Sequence, residues 1–233
     1  QCLGHLDYVL IHKQYAHLRE GGSEGRQVCP LNSESFELFC DLAGEILDAH
    51  PQAAYLHVGG DETRELGDCP LCRKEAKKVG KGGLYLDYLN SVCAWVKQEG
   101  RTPIVWDDML CPYPEVLGKL GRDVVIMYWD YHTGLERNPV LIARSRDCGD
   151  GVLYDQGWDN VSREELTDLQ QIVLGKYGSR GVDLNSELSE EFLSLYGKYL
   201  GDDFPKYICP FPYLDFHLDK GFKVIGAPSV HGG

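Results

Sequence analysis

Residues 53–62 read Ala-Ala-Tyr-Leu-His-Val-Gly-Gly-Asp-Glu. The first six form a short, mostly apolar run between Pro51 and the glycine pair. Such a run reads as a β-strand, and its continuous rather than alternating character suits a parallel strand buried on both faces. Adjacent residues on a regular strand point to opposite faces, so Asp61 and Glu62 can share one site only if the backbone turns before them. Gly59-Gly60 supplies that freedom. The acids then sit at the C-terminal end of a strand, where barrel active sites are built. Two close carboxyls resist simultaneous ionisation, which separates their proton affinities. One can donate a proton near neutral pH while the other stays charged, as glycoside cleavage requires. An acid pair by itself is as readily a solvated surface turn; the buried strand and the double glycine favour the site.

The same grammar repeats on either side. Residues 103–106 (PIVW) end in Asp107-Asp108, residues 124–129 (VVIMYW) in Asp130-Tyr131, and residues 222–225 (FKVI) in Gly226. Helix-period stripes lie between the runs. Phe36, Phe39, Cys40, Ala43, Ile46 and Leu47 form one, capped by Asn32 or Ser33; a second runs from Leu84 to Val96 and closes at Gly100. Ser162 with Glu165 predicts a capping box before a third, and Leu188 to Tyr199 a fourth. Strand–helix alternation predicts a parallel α/β fold. The stretch 132–220 is too long for a simple connection and is expected to be an elaborated one within a single domain spanning 1–233.

The hexapeptide His57-Val58-Gly59-Gly60-Asp61-Glu62 resembles the H-x-G-G-D-E signature of family 20 glycoside hydrolases, the β-N-acetylhexosaminidases, with the hexosaminidase D-like branch as the nearest subgroup. Leu3-Gly4-His5 resembles the end of that family's third strand, Val105-Trp106-Asp107-Asp108 its fifth, and Tyr128-Trp129-Asp130-Tyr131 its sixth. The resemblance implies a (β/α)₈ TIM barrel. Because such a barrel takes roughly 250 residues or more, this chain is expected to be an incomplete one, strands 3 to 7, truncated at its N-terminus and at its C-terminus. A barrel lacking strands exposes parallel edges, which predicts a homo-oligomeric or poorly soluble chain.

The resemblance also implies a chemistry: retaining, exo-acting removal of terminal β-linked GlcNAc or GalNAc, assisted by the substrate's own 2-acetamido group through an oxazolinium intermediate. The family is an exception to the scheme in which an enzyme carboxylate is the nucleophile. Glu62 would be general acid and then base, and Asp61 would orient the acetamido N–H. Trp106 and Trp129 would wall the acetamido pocket, Tyr131 would donate to the acetamido oxygen, and Asp107 or Asp108 would bind sugar hydroxyls or hold the pocket. His5 would tune Glu62, and His57 is expected to be structural support. No metal or organic cofactor is implied. The position four before His5 is Gln1, where the family often has Asp, and the Arg, Trp and Tyr-x-Asp the family carries on other strands are not found. Two alternatives stand beside this reading: a catalytically inactive carbohydrate-binding barrel, and a retaining glycosidase with an enzyme nucleophile.

Composition bounds the rest. A net charge of −13 repels phosphate backbones and disfavours nucleic acid as a partner. No apolar run is long enough to span a bilayer. The nine cysteines lack disulfide-framework spacing, which points to a reducing compartment and a cytoplasmic location. Cys69-Pro70-Leu71-Cys72 is half of a zinc site. No second pair follows at suitable spacing; Cys29 or a His can be a remote third ligand, but the expectation is a reduced loop pair beside the active site, without metal.

Overall fold

The computed structural model describes residues 1–21, 25–111, 113–129, 140–142, 152–154, 190, 194, 197–199 and 213–228. The chain divides into two compact units. The first comprises Gln1–Leu110, Glu115–Tyr128 and His217–Gly226; the second comprises Cys111–Pro114, Trp129–Phe216 and Ala227–Gly233.

The first unit is built on a four-stranded parallel sheet in the order β1 (Tyr55–Gly59), β2 (Thr102–Trp106), β3 (Val125–Tyr128) and β6 (Lys223–Gly226). All three pairings are parallel, with Leu56 opposite Pro103, Val105 opposite Ile126 and Ile126 opposite Val224. These are the four runs read from the sequence. The strands β1 to β3 carry the buried apolar residues expected of a doubly covered sheet: Val58, Val105 and Ile126 are all but inaccessible. The strand β6 departs from that expectation. It leaves Lys223 and Ile225 exposed, because among the described residues it pairs on one side only. On the opposite edge the Cys2 N–H donates to the Val58 carbonyl at 2.8 Å, laying the N-terminal segment beside β1.

The helix α2 (Ser33–Ala49), which follows the single-turn α1 (Asp7–Leu10), begins where the sequence placed it. The Asn32 side chain accepts from the Glu34 N–H at 3.1 Å, satisfying one of the unpaired first-turn amides. The helix α3 (Pro70–Gln98) is longer than its apolar stripe predicts. Its second half buries Leu84, Tyr85, Leu89, Val92 and Val96 under the sheet, as read. Its first half is rich in Lys, Arg and Glu, has no stripe, and is started by the Cys69 cap and Pro70. Gly80, at φ 76°, breaks the two halves apart.

In the second unit β4 (Val140–Ile142) pairs antiparallel with β5 (Val152–Tyr154). Tyr199 packs edge-on against Phe216, with ring centroids 5.6 Å apart. A last helix, α4 (Tyr213–Asp219), leads into β6. The helix expected after Ser162 lies outside the described residues, as does most of the one expected between Leu188 and Tyr199.

Candidate active site

The strand β1 ends in an irregularity: its register against β2 shifts between His57 and Gly59. Gly59 and Gly60 both take positive φ, 78° and 92°, so the chain leaves the sheet direction at the glycine pair. Glu62 follows at φ 48°. A non-glycine residue there costs about 1–3 kcal/mol and persists only where its surroundings hold it. Asp108 does so: its Oδ2 accepts from the Glu62 N–H at 2.9 Å. From the other side the Tyr85 hydroxyl donates to the Gly60 carbonyl at 2.9 Å. Tyr85 is fully buried, and that burial holds its phenol well above the ordinary value.

The turn brings both acids to one imidazole. His5 Nε2 lies 3.2 Å from Asp61 Oδ2 and 3.4 Å from Glu62 Oε2. His5 is itself left-handed, at φ 55°. It is brought in by a close backbone approach: a Cβ on Gly4 would sit 2.9 Å from the Asp61 carbonyl oxygen. The two carboxylates differ in their other contacts. Asp61 Oδ1 is shielded and has no hydrogen-bond partner. Glu62 is more open, and its Oε1 meets the Arg64 guanidinium at 2.9 Å.

Around this centre the structure places the other predicted residues unequally. Trp106, half-buried at the end of β2, stacks obliquely on His57, with ring centroids 4.6 Å apart. His57 Nδ1 accepts from the Gly59 N–H at 3.0 Å, so the ring braces the glycine turn. Burial pushes its pKa below the ordinary histidine value. Asp107 and Asp108 are both buried, Asp108 against the Glu62 backbone and Asp107 at 3.8 Å from the equally buried His217. Gln1 Oε1 accepts from the Gly60 N–H at 3.3 Å. Trp129 is half-buried directly after β3 and belongs to the second unit; Tyr131 lies outside the described residues.

Three participants carry no local signal in the sequence. Arg64 lies two residues past Glu62 with nothing to distinguish it from a solvated arginine. His217 is on α4, more than a hundred residues from Asp107. The third is Glu20. It is fully buried, and its Oε1 accepts from the Gly67 N–H at 2.8 Å and the Asp68 N–H at 3.0 Å, just after the acid pair. Its carboxylate also converges with the thiols of Cys29, Cys69 and Cys72, all four ligand atoms lying within 4.8 Å of one another. The Cys69–Cys72 pair is therefore not an isolated loop pair.

The model of the glycosyl hydrolase family 20 catalytic domain matches residues 9–143, more than half of the chain. The match contains Asp61, Glu62, Trp106, Asp107, Asp108, Trp129 and Tyr131; His5 precedes it. Hexosaminidase D from Homo sapiens is 35% identical over 182 residues, covering 74% of this chain and 37% of the relative. Hexosaminidase D from Bos taurus is 30% identical over 163 residues, covering 66% of this chain and 47% of the relative. The chain thus spans less than half the length of these curated relatives. Among solved structures, the beta-N-acetylhexosaminidase from Bacteroides fragilis NCTC 9343 is 25% identical, with a TM-score of 0.45 over 55% of this chain and 26% of that one. The GH20 exo beta-N-acetylglucosaminidase from Vibrio harveyi, in complex with N-acetylglucosamine, is 20% identical, with a TM-score of 0.43 over 55% of this chain and 21% of that one. On the extent of the family-model match, this chain belongs to glycosyl hydrolase family 20 and carries sequence of its catalytic domain.

Proposed function

We propose that the protein is a retaining exo-β-N-acetylhexosaminidase that removes terminal β-linked GlcNAc or GalNAc with the help of the substrate's acetamido group. The observation that carries this is the unequal setting of the two acids on one imidazole. Asp61 keeps a shielded, unpartnered oxygen, a ready acceptor for an N–H. Glu62 keeps an open carboxyl at the solvent side, where a leaving-group oxygen can reach it.

In the reaction Glu62 protonates the glycosidic oxygen while the acetamido carbonyl oxygen attacks the anomeric carbon, and the bond to the leaving group breaks. Asp61 accepts the acetamido N–H and balances the positive charge that develops on the oxazolinium ring. Glu62 then takes a proton from water as the water opens that ring, so the anomeric configuration is retained. His5 steadies both carboxylates, and Trp106 offers an indole face to the acetamido methyl and sugar C–H groups. Trp129 and Tyr131 are assigned to the acetamido group by the sequence resemblance alone. No metal or organic cofactor takes part in these steps.

The sheet β1-β2-β3-β6 is proposed to be strands 4 to 7 of a (β/α)₈ barrel, with the segment beside β1 as the end of strand 3. The parallel order in chain sequence and the Cys2–Val58 hydrogen bond support this. Residues 132–220 are then an elaborated connection within that single domain. A cytoplasmic setting is proposed with it, in keeping with cysteines that lack disulfide spacing.

The test compares release of an aryl group from the N-acetyl-β-glucosaminide and from the plain β-glucoside. Cleavage of the acetamido sugar alone is expected. Equal cleavage of both would replace substrate assistance with an enzyme nucleophile, and cleavage of neither by the folded protein would leave a carbohydrate-binding barrel.

A further inference from the structure

The buried group Glu20, Cys29, Cys69 and Cys72 takes no part in the sugar chemistry. It is assembled from two places. Arg19 and Val28 form an antiparallel bridge, and the Glu20 N–H donates to the Gln27 carbonyl at 2.9 Å, so Glu20 and Cys29 lie on two paired segments. Cys69 and Cys72 come from the start of α3, where Cys69 is the cap and its Sγ accepts from the Cys72 N–H at 3.2 Å. Cys69 and Cys72 thus face those segments from the same helix start.

The spacing suits a metal better than a covalent bridge. Cys29 Sγ lies 3.6 Å from Cys69 Sγ and 3.4 Å from Cys72 Sγ. A disulfide needs about 2.05 Å. Zinc–sulfur bonds of about 2.3 Å in a tetrahedron put sulfurs about 3.8 Å apart, close to what is observed. The fourth side is occupied by Glu20, which is fully buried and whose Oε2 is shielded and without a hydrogen-bond partner. A buried carboxylate oxygen facing three thiols is costly unless a cation joins them.

We propose that Glu20, Cys29, Cys69 and Cys72 form a closed, four-ligand structural zinc site. Three soft thiolates and one carboxylate suit zinc, and four protein ligands leave no position for substrate or water. The thiols release their protons as the metal binds. The ion ties the segment that follows Asp61-Glu62 to the paired segments that carry Glu20 and Cys29. The second of these is itself bound to the His5 segment, through Val28 N–H to the Leu3 carbonyl at 3.1 Å and Leu6 N–H to the Arg26 carbonyl at 2.9 Å. Zinc therefore joins the two stretches that deliver the imidazole and the acids, without touching either. The inference does not depend on the sugar reaction.

The experiment measures metal content by plasma mass spectrometry on the full chain, purified reduced and dialysed against zinc and then against metal-free buffer. About one zinc per chain is expected. Replacing zinc with cobalt(II) should give thiolate-to-cobalt charge transfer in the near ultraviolet and intense visible bands of tetrahedral cobalt. Glu20→Gln, nearly isosteric, should keep the charge transfer, alter the visible bands and weaken zinc binding about tenfold or more. Cys72→Ser should lose stoichiometric zinc; if either variant fails to fold, the cobalt spectrum of the unmodified chain decides alone. The proposal is overturned by trace metal only in the reduced chain, by iron or copper in place of zinc, by weak octahedral cobalt bands, by a Cys29 disulfide in the isolated protein, or by a Glu20→Gln protein that binds zinc and cobalt unchanged.

Discussion

In the proposed reaction two demands meet at Glu62: a carboxyl has to reach the leaving group from a residue whose backbone is left-handed. Glu62→Gln removes the proposed proton donor and is expected to lower kcat by about 10²–10⁴. The loss should shrink for aryl leaving groups acidic enough to depart unprotonated, which a leaving-group series would reveal. Asp61→Asn exchanges the acceptor oxygen for a donor or a neutral carbonyl, and kcat should fall by about 10²–10³. The support residue gives a different pattern. Asp108→Ala leaves the Glu62 amide unpaired at a cost of about 1–3 kcal/mol. Asp108→Asn keeps an acceptor and should recover most of the activity, with kcat restored more than KM. Asp108 accepting from Glu62 at 2.9 Å motivates both variants. Equal activity in the Ala and Asn proteins would remove Asp108 from the positioning of Glu62.

The element that concentrates these effects is the end of β1, braced by the His57 ring. His57 Nδ1 can accept from Gly59 N–H only while unprotonated, and burial lowers its pKa from 6.5. Because the folded pKa is the lower one, the unfolded chain binds the proton first. Stability from this group is therefore fully present above the unfolded value and is lost as pH falls from about 6.5 towards the folded value. Denaturant midpoints should drop between pH 7.5 and pH 5. His57→Asn, which keeps an acceptor but does not titrate, should drop less; an equal drop in both proteins would assign the acid sensitivity to other groups.

How much of these elements could be read in advance depended on how local their causes are. The strands at 55–59, 102–106 and 125–128 announce themselves because burial on both sides writes a continuous apolar run. The Asn32 cap and the Gly59-Gly60 turn are legible for the same reason, since each rests on the conformational chemistry of one or two residues. The first half of α3 was not, because a helix that buries no stripe leaves no period. Glu20 and His217 were invisible for a third reason: each gains its meaning from a partner dozens of residues away, and no spacing rule connects them.

On the scale of the whole molecule, the sheet ends at β6 with pairing on one side only among the described residues. An unpaired parallel edge is a template for further strands. This chain by itself is expected to self-associate, with a weight-average mass in sedimentation that rises with concentration. A sharp two-state unfolding transition of a monomer at every concentration would contradict that.

The contact of Gly4 with the Asp61 carbonyl has a genetic consequence. The opposing atom at 2.9 Å is backbone, so no rotamer change can make room. Every missense change reachable from a glycine codon by one base adds at least a Cβ. Gly4 should therefore appear in a saturation-mutagenesis map as a column with no tolerated allele, as dark as those of the two acids, although it carries no functional group at all.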